Sequence, residues 1–202
     1  MKIFCVGRNY ADHARELNNP LPTEPVIFMK PATALLKPGQ DFYLPNFSQE
    51  IHYECEVVLK VCKMGKHIAP EFAHKYFQEF TLGLDFTARD LQRKLKEKGL
   101  PWEKAKAFDQ SAFVGEWRSK EKYPVENLSF SLLKNGEMVQ QGNTQDLIFS
   151  FQQLVCQISR FFTLQVGDLI YTGTPAGVGA VSMGDTLELK AAKETLGELS
   201  VK

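Results

Sequence analysis

The chain has 202 residues, 44% of them hydrophobic and 24% charged, which is the composition of an ordinary globular protein with one sizeable core. Lysine plus arginine and aspartate plus glutamate both number 24, so no overall positive field favours nucleic acid or an anionic membrane surface. No stretch approaches the roughly 20 apolar residues that a membrane-spanning helix needs. We therefore expect one domain over residues 1–202, with neither nucleic acid nor a membrane as a partner.

The N-terminus and the cysteines indicate a cytoplasmic protein. Residues 1–7 form a short strand-like run without the long apolar segment and cleavage site of a secretory leader. In their apolar or strand-like surroundings, the cysteines are expected to be buried free thiols in a reducing compartment. The four form no CxxC pair: Cys5, Cys55, Cys62 and Cys156.

In chain order, the first predicted elements are strands at 3–7 and 26–30, with a helix of about two turns at 10–18 between them. Pro20 prevents this helix from continuing. The segment lies between a glycine and a turn, so residues 10–19 are a candidate lid that moves over a pocket.

The clearest periodic signal in the sequence covers residues 52–62. All odd positions from 53 to 61 are apolar. This alternation predicts a half-buried strand with one face in the core. The even positions carry His52, Glu54, Glu56, Val58 and Lys60.

The remaining predicted elements are short helices and strands. Thr87 and Asp90 resemble an N-terminal helix cap, and Asn135-Gly136 is typical of a two-residue hairpin turn. The expected fold is a β-rich α+β domain. We expect helices at 70–78, 88–98 and 150–162, and strands at 80–86, 130–134, 137–141, 168–172 and 186–190.

Three acidic residues are candidate ligands of a hard divalent cation. Glu54 and Glu56 lie two apart on one strand, so their Cα atoms are roughly 6.5–7 Å apart and their side chains share a face. On this spacing alone, a solvated strand face is the favoured interpretation. Asp85 ends a nearly apolar strand, where an unpaired charge would be costly, so it is either a helix cap or a ligand. Three carboxylates without a nearby Cys or His cluster suit Mg²⁺ or Mn²⁺ rather than Zn²⁺.

Other residues fit chemistry at such a site. His13 and Glu16 are three apart on the predicted helix, where a carboxylate can orient an imidazole as a general base; an ordinary surface pair is the simpler interpretation. A glycine-rich loop with Thr174 could hold a carboxylate or merely connect two strands. Lys106 and Arg89 are candidates for binding an anionic substrate.

Seven segments, taken together and in order, resemble the fumarylacetoacetate hydrolase family, in particular its short single-domain branch of acylpyruvate hydrolases and oxaloacetate decarboxylases. Each segment is short, but the ordered set spans nearly the whole chain and is specific. The segments are residues 7–16, 28–31, 52–56, 84–92 and 99–102, then Lys106, and finally 172–179.

The resemblance implies a mixed β-roll with peripheral short helices, the fold of the fumarylacetoacetase C-terminal domain, usually assembled as a homodimer. It implies Mg²⁺ as the cofactor, with Mn²⁺ or Ca²⁺ as substitutes, held by Glu54, Glu56 and Asp85. The implied roles of the other residues are a water-activating dyad and a charged catalytic residue, with three further contacts to substrate. These residues are His13 and Glu16 for the dyad, Lys106 for the charge, and Arg89, Gln92 and Thr174 for substrate.

The expected reaction is hydrolysis of a C–C bond in an acylpyruvate, a 2,4-dioxo acid, with decarboxylation of oxaloacetate as a second activity. Two alternatives stay open. The first is an isomerase, decarboxylase or hydratase that acts on a dienoic or sugar-derived 2-oxo acid with the same scaffold. The second is a non-catalytic β module that binds a metal or ligand.

Overall fold

The computed structural model describes residues 1–16 and 20–202, which form a mixed α+β fold rich in strands. The helices are short: α1 (Ala11–Glu16), α2 (Pro70–Ala73), α3 (Arg89–Glu97), α4 (Glu103–Lys106) and α5 (Phe151–Phe161). The strands are β1 (Ile3–Gly7), β2 (Val26–Lys30), β3 (Ile51–Tyr53), β4 (Cys55–Val61), β5 (Phe77–Asp85), β6 (Thr87–Ala88), β7 (Ala112–Val114), β8 (Arg118–Ser119), β9 (Ser129–Lys134), β10 (Glu137–Asn143), β11 (Leu169–Tyr171), β12 (Gly179–Ala180), β13 (Thr186–Ala191) and β14 (Glu194–Ser200).

The strands form three sheets. The largest has seven strands in the order β2-β1-β11-β4-β5-β7, with β8 also paired to β5. Its β1–β11 pair is parallel and its other pairs are antiparallel. A four-stranded sheet has the order β10-β9-β13-β14, and a three-stranded one has the order β12-β3-β6. This architecture confirms the β-rich α+β fold class predicted from the sequence.

Two hydrophobic clusters lie on opposite faces of the seven-stranded sheet. The larger one draws side chains from all three sheets and includes the stacked rings of Phe42 and Phe86, whose centroids are 3.9 Å apart. The smaller one contains Val58 and Tyr171. Because successive side chains of a strand point to opposite faces, Val58 and Leu59 of β4 belong to different clusters. Strand β4 is therefore covered on both sides.

The prediction of one half-buried strand at 52–62 was wrong in two respects. The strand is interrupted at Glu54, which separates β3 from β4. In addition, β4 is buried on both faces, since Glu56 is only 2% exposed and Val58 is fully buried. The sequence alternation located one apolar face correctly, but packing of the smaller cluster covers the other.

Two helix predictions also need correction. The helix expected at 70–78 is the single turn α2, because Phe77 is buried in the sheet as the first residue of β5. Thr87 does not cap α3: it lies in β6, and Ala88 precedes the helix without a side-chain cap. Asp90 instead accepts a hydrogen bond from Ser48 Oγ at 2.6 Å.

Other local predictions are confirmed. The hairpin between β9 and β10 turns at Asn135 and Gly136, both with positive φ, as a two-residue turn of primed type requires. The helix predicted at 150–162 is α5, and the structure shows that Ser150 caps it through a reciprocal pair of hydrogen bonds with Gln153. The helix predicted at 10–18 is present as α1; the rest of the expected lid, residues 17–19, lies outside the described residues.

The structure also shows the state of the cysteines and the character of the helices. The four cysteines are free, but Cys62 is exposed and Cys156 is partly exposed, so the expectation that all four are buried was wrong. Only Cys5 and Cys55 are fully enclosed. Among the helices of the described residues, none has the length and apolar character that crossing a membrane requires.

Candidate active site

Three buried carboxylates meet at one end of the β4–β5 pair. Glu54 precedes β4, Glu56 lies within it, and Asp85 is the last residue of β5. Asp85 N donates a hydrogen bond to Glu54 O at 2.9 Å, which holds the two chain segments together. One carboxylate oxygen of each residue lies within 4.8 Å of the others. The structure thus brings together the three acidic residues singled out in the sequence.

Three buried or nearly buried cations surround these carboxylates. Lys106 Nζ lies 2.7 Å from Glu54 Oε2 and 2.8 Å from Asp85 Oδ2. Arg89 Nη2 donates to Glu54 Oε1 at 2.5 Å, and Lys30 Nζ lies 2.7 Å from Asp85 Oδ1. Since three positive groups face three carboxylates, the formal charge of this set is zero. These ion pairs, rather than a helix cap, explain how Asp85 is tolerated in the interior.

One oxygen of Asp85 is still without a hydrogen bond. Lys30 Nζ directs its N–H groups to the carbonyl oxygens of Lys106 and Ser111 and to Ser111 Oγ. It therefore gives Asp85 Oδ1 a nearby charge but no aligned donor among the described residues. A buried carboxylate oxygen in this condition is costly. The oxygen-only donor set and this unsatisfied atom both fit a hard divalent cation.

The charges shift the pKa values of the site in opposite directions. Burial raises the pKa of Glu56 well above its ordinary range, and the neighbouring charges of Asp85 and Glu54 add to the effect. Burial also acts to raise the pKa of Glu54, but Lys106 and Arg89 outweigh it and lower the value. For Lys106, burial is outweighed by Asp85 and Glu54, so its pKa rises and the ammonium form is favoured.

His13 and Glu16 contact each other on α1. His13 Nδ1 lies 3.1 Å from Glu16 Oε2, and the imidazole is only 7% exposed. The second oxygen of Glu16 accepts a hydrogen bond from Gly177 N at 3.0 Å. Gly177 has φ +96°, and an added Cβ would lie 2.4 Å from Val139 O, so this close approach requires glycine. Glu16 therefore joins α1 to the glycine-rich loop.

The glycine-rich loop binds carboxylates that belong to the protein itself. Gly173 N donates to Glu56 Oε2 at 2.7 Å, as Gly177 N does to Glu16. The Thr174 hydroxyl donates to Cys55 O at 2.8 Å and accepts from Gln140 Nε2 at 2.9 Å. The loop is thus more than a connection between strands, because it fixes two acidic residues of the candidate site.

Nearly all of the predicted site residues lie around one cavity. Eight of the nine line it, and the ninth, Glu16, contacts the lining residue His13. Arg89 and Gln92 are linked by a hydrogen bond of 2.7 Å between Nη1 and Oε1. The lining is Val6, Gly7, Arg8, His13, Val26, Phe28, Glu54, Glu56, Asp85, Arg89, Gln92, Lys96, Trp102, Lys106 and Thr174.

Sequence reasoning found no part in the site for several residues that contact the lining of this cavity. Lys30 ends the apolar strand β2 and is 2% exposed; a charged residue at that position was the available signal. Gln140 is equally buried and bonds Cys55 N, Thr174 Oγ1 and Pro175 O, yet it precedes another glutamine in a strand of mixed polarity, so the sequence held no signal of its burial. Thr87, expected to cap a helix, donates to Glu54 Oε1 instead.

The sequence of this chain matches a known protein family and several characterised proteins. The model of the fumarylacetoacetate (FAA) hydrolase C-terminal family matches residues 2–202. The chain belongs to this family. It is 42% identical over 187 residues to oxaloacetate tautomerase FAHD1, mitochondrial, of Bos taurus, covering 92% of this chain and 85% of the relative. It is 40% identical over 188 residues to oxaloacetate tautomerase YcgM of Escherichia coli (strain K12), covering 92% and 86%.

A solved structure is also closely similar to this fumarylacetoacetate hydrolase family member. Fumarylpyruvate hydrolase from Pseudomonas aeruginosa, in complex with Mn²⁺ and pyruvate, superposes with a TM-score of 0.92 at 38% identity. The match covers 100% of this chain and 89% of that chain. The family is one of enzymes, so the alternative of a non-catalytic β module loses its support.

Proposed function

We propose that this chain is a divalent-metal-dependent enzyme that interconverts the enol and keto forms of oxaloacetate and, as a second activity, hydrolyses acylpyruvates. The observation that carries this proposal is the meeting of the buried triad Glu54, Glu56 and Asp85 with Lys106 and His13 in one cavity. Two tautomerase relatives at 42% and 40% identity support oxaloacetate as the substrate. The family match over 2–202 supports one catalytic domain.

The metal site of this proposal consists of Glu54, Glu56 and Asp85. Mg²⁺ is the proposed ion, with Mn²⁺ or Ca²⁺ as substitutes, because three carboxylates suit a hard cation. Bound there, it would supply Lewis-acid stabilisation of the negative charge that develops on the substrate oxygens. The Mn²⁺ bound by the Pseudomonas aeruginosa relative supports a divalent ion in this fold.

Three residues are proposed to hold and orient the 2-oxo acid. Arg89 binds the substrate carboxylate through its guanidinium group. Gln92 orients the plane of that guanidinium, because Gln92 Oε1 accepts a hydrogen bond from Arg89 Nη1. The Thr174 hydroxyl is already bonded to Cys55 O and Gln140, so we assign the Thr174 contact to its main-chain N–H. Lys106, kept as an ammonium by its acidic neighbours, places a positive charge beside the enolate.

Hydrolysis requires a base that deprotonates an attacking water, whereas tautomerisation has no attacking water. His13, oriented by Glu16, takes a proton from water, and the water oxygen attacks the distal carbonyl carbon. The C–C bond then breaks, and its electron pair leaves with the pyruvate unit as an enolate. In tautomerisation, the enol O–H loses a proton and C3 gains one, without an attacking water. The contact between His13 and Glu16 is the specific observation that favours the hydrolytic activity.

A comparison of the two activities in Glu16→Gln tests this proposal. Hydrolysis of acetylpyruvate should fall by up to about 10²- to 10⁴-fold, the usual contribution of a positioned general base, because His13 loses the carboxylate that orients it; oxaloacetate tautomerisation should fall much less. Loss of enol absorbance reports both reactions, and release of pyruvate from oxaloacetate separates decarboxylation from tautomerisation. Asp12→Asn is the matched control, because Asp12 lies on the same helix, its side chain is 80% exposed, and among the described residues it pairs only with Arg15.

Two outcomes would contradict the proposal. Equal loss of both activities in Glu16→Gln would remove the division between hydrolysis and tautomerisation. Absence of turnover of oxaloacetate, acetylpyruvate and fumarylpyruvate by the wild-type chain with Mg²⁺ or Mn²⁺ would reject the function itself. The same panel, run with a chelator, tests the need for a metal. The homodimer implied by the family resemblance and the cytoplasmic location stay predictions.

A further inference from the structure

Two cations at the cavity have no acidic partner among the described residues. Arg8 lies in the connection between β1 and α1, and Lys96 lies in the last turn of α3. Both line the cavity, but neither forms an ion pair with a carboxylate in the described part of the chain. By contrast, Arg89 and Lys106 are paired with the triad. The cavity therefore holds more positive charge than its own acids require.

The two cations Arg8 and Lys96 are less deeply buried than the carboxylates of the triad. Glu56 and Asp85 are at most 2% exposed and form the floor of the cavity, whereas Arg8 is half-buried and Lys96 is exposed. The two cations thus lie towards the opening, on elements from different parts of the chain. A ligand whose first carboxylate reaches the floor would extend its other end towards them.

Arg8 adopts an unusual backbone conformation. Its φ is +61°, in the left-handed region that L side chains rarely occupy. Such conformations persist where the surrounding structure holds them, and they cluster at functional sites. Asn9, the next residue, is fully buried and donates from Nδ2 to Phe149 O and Thr172 O. These bonds fix the chain directly after Arg8.

Lys96 is constrained by its neighbours as well. Its Nζ lies 5.3 Å from the centroid of the Trp102 ring, which lines the same cavity. Although the Lys96 side chain as a whole is exposed, partial desolvation of its ammonium lowers its pKa; the positive charges of Arg8, Arg89 and Lys106 lower it further, against the opposing charge of Glu54. These cations are therefore close enough to repel one another, and an anion placed among them would relieve that repulsion.

We propose that Arg8 and Lys96 bind the second carboxylate of a dicarboxylic 2-oxo acid and so select diacids over monoacids that carry the same reacting group. This inference rests on the proposed function, which places the 2-oxo acid end of the substrate at the triad. The pair acts on specificity and takes no part in the proton transfers. A free surface charge would attract any anion weakly, whereas a built subsite distinguishes a terminal carboxylate from a methyl group.

Matched ligands test this subsite directly. 2-Oxoglutarate and 2-oxopentanoate have the same length and the same 2-oxo acid end, but only the first has a second carboxylate. Calorimetry of the Mn²⁺-loaded chain should show tighter binding of 2-oxoglutarate. In the double variant Arg8→Met, Lys96→Met, its preference over 2-oxopentanoate should fall by about 10- to 100-fold, the usual effect of losing hydrogen bonds to a charged group.

Controls separate charge from side-chain shape. Arg8→Lys and Lys96→Arg keep the charges and should restore most of the preference, and methionine keeps the length of the side chain. Lys98→Met, two residues from Lys96 but outside the cavity lining, should leave the preference unchanged. The ratio of kcat/KM for fumarylpyruvate over acetylpyruvate should follow the binding preference through the same variants.

The possible failures are distinguishable. If the wild-type chain binds both ligands equally, or if the double variant weakens both by the same factor, the subsite is rejected while the proposed function stands. If neither ligand binds the Mn²⁺-loaded chain, the placement of the 2-oxo acid at the triad fails, and the subsite falls with it.

Discussion

Strands β4 and β13 look alike in sequence but have different surroundings. Both have an apolar residue at every second position, and each has a glutamate between two of these apolar residues. In β13, Glu188 is 32% exposed, and the residues on either side of it, Leu187 and Leu189, are fully buried. In β4, Glu56 is 2% exposed. The same pattern therefore gives a solvated carboxylate in one strand and an enclosed one in the other.

The difference comes from the sheets to which the strands belong. Strand β4 lies between β11 and β5, with hydrophobic clusters on both faces, whereas β13 contributes to a core on one face only. A carboxylate in the first position is stable only if donors and cations compensate it. For Glu56, Gly173 N provides the hydrogen bond. The alternation of residue types along a strand thus identifies an apolar face but does not establish that the opposite face is exposed to solvent.

The largest expected effect comes from neutralising one glutamate in each strand. Glu56→Gln should lower turnover of oxaloacetate and acetylpyruvate by about a thousandfold or more, because the proposed metal site would lose a ligand and Lewis-acid stabilisation is worth several kcal/mol. Titration with Mn²⁺, followed by calorimetry, should show weaker binding. Glu188→Gln is the matched control and should leave both measurements within about twofold of wild type, since its partners are Thr195 and Lys190 at the surface. Similar losses in the two variants would contradict a metal-binding role for Glu56.

A smaller effect is expected from Gln140, which lies in β10, in the same sheet as β13, and bonds to Cys55 of β4. Gln140→Leu should destabilise the fold by about 1–3 kcal/mol, because the buried Cys55 N–H loses its acceptor. Loss of the bond to Thr174 should also lower kcat/KM by about 10- to 100-fold through misplacement of the loop. Denaturant unfolding and kinetics measure the two effects separately. Gln141→Leu, at the exposed next position, should change the free energy of unfolding by less than about 0.5 kcal/mol. If Gln140→Leu changed it no more than Gln141→Leu does, a stabilising role for the Gln140 hydrogen bonds would be contradicted.

The smallest effect concerns Asp185, directly before β13, and depends on pH. Burial acts to raise the pKa of this carboxyl, but hydrogen bonds from Asn135 and Ser182 and the charge of Lys134 outweigh it and lower the pKa. The resulting stabilisation is present above the unfolded-state pKa of about 3.9 and is lost as the pH falls through the lower folded-state value. Wild type should therefore exceed Asp185→Asn by less than about 1 kcal/mol at pH 7, and the difference should shrink below pH 4. A difference in unfolding free energy that stays constant from pH 7 to pH 3 would contradict this account.

Local signals predicted the regions where neighbours in sequence decide the structure. The Asn135-Gly136 turn and helix α5 depend on residues that are close in sequence, and both were predicted correctly. Predictions failed where tertiary packing competes with local preference. Phe77 joins a buried strand instead of extending α2, and Thr87 faces Glu54 instead of capping α3.

For the candidate site, the ordered motifs sufficed to name most of the residues, but not their surroundings. Glu54, Glu56 and Asp85 were chosen from the sequence, and the structure brings them within 4.8 Å of one another. The sequence could not show that Lys30 contacts Asp85 or that Gln140 bonds Cys55 between the two glutamates, because Lys30 and Gln140 lie in strands that are separated in sequence from these residues. Their contacts exist only after β2 and β10 take their places in separate sheets.

The sequence by itself determined the family, the β-rich fold class and the acidic residues, because these depend on residue type, order and local periodicity. Only the tertiary structure decided which charges are buried and what compensates them. Burial and ion pairing depend on segments that are distant in sequence, and a charge inside the protein is stable only with the particular partners that folding brings to it.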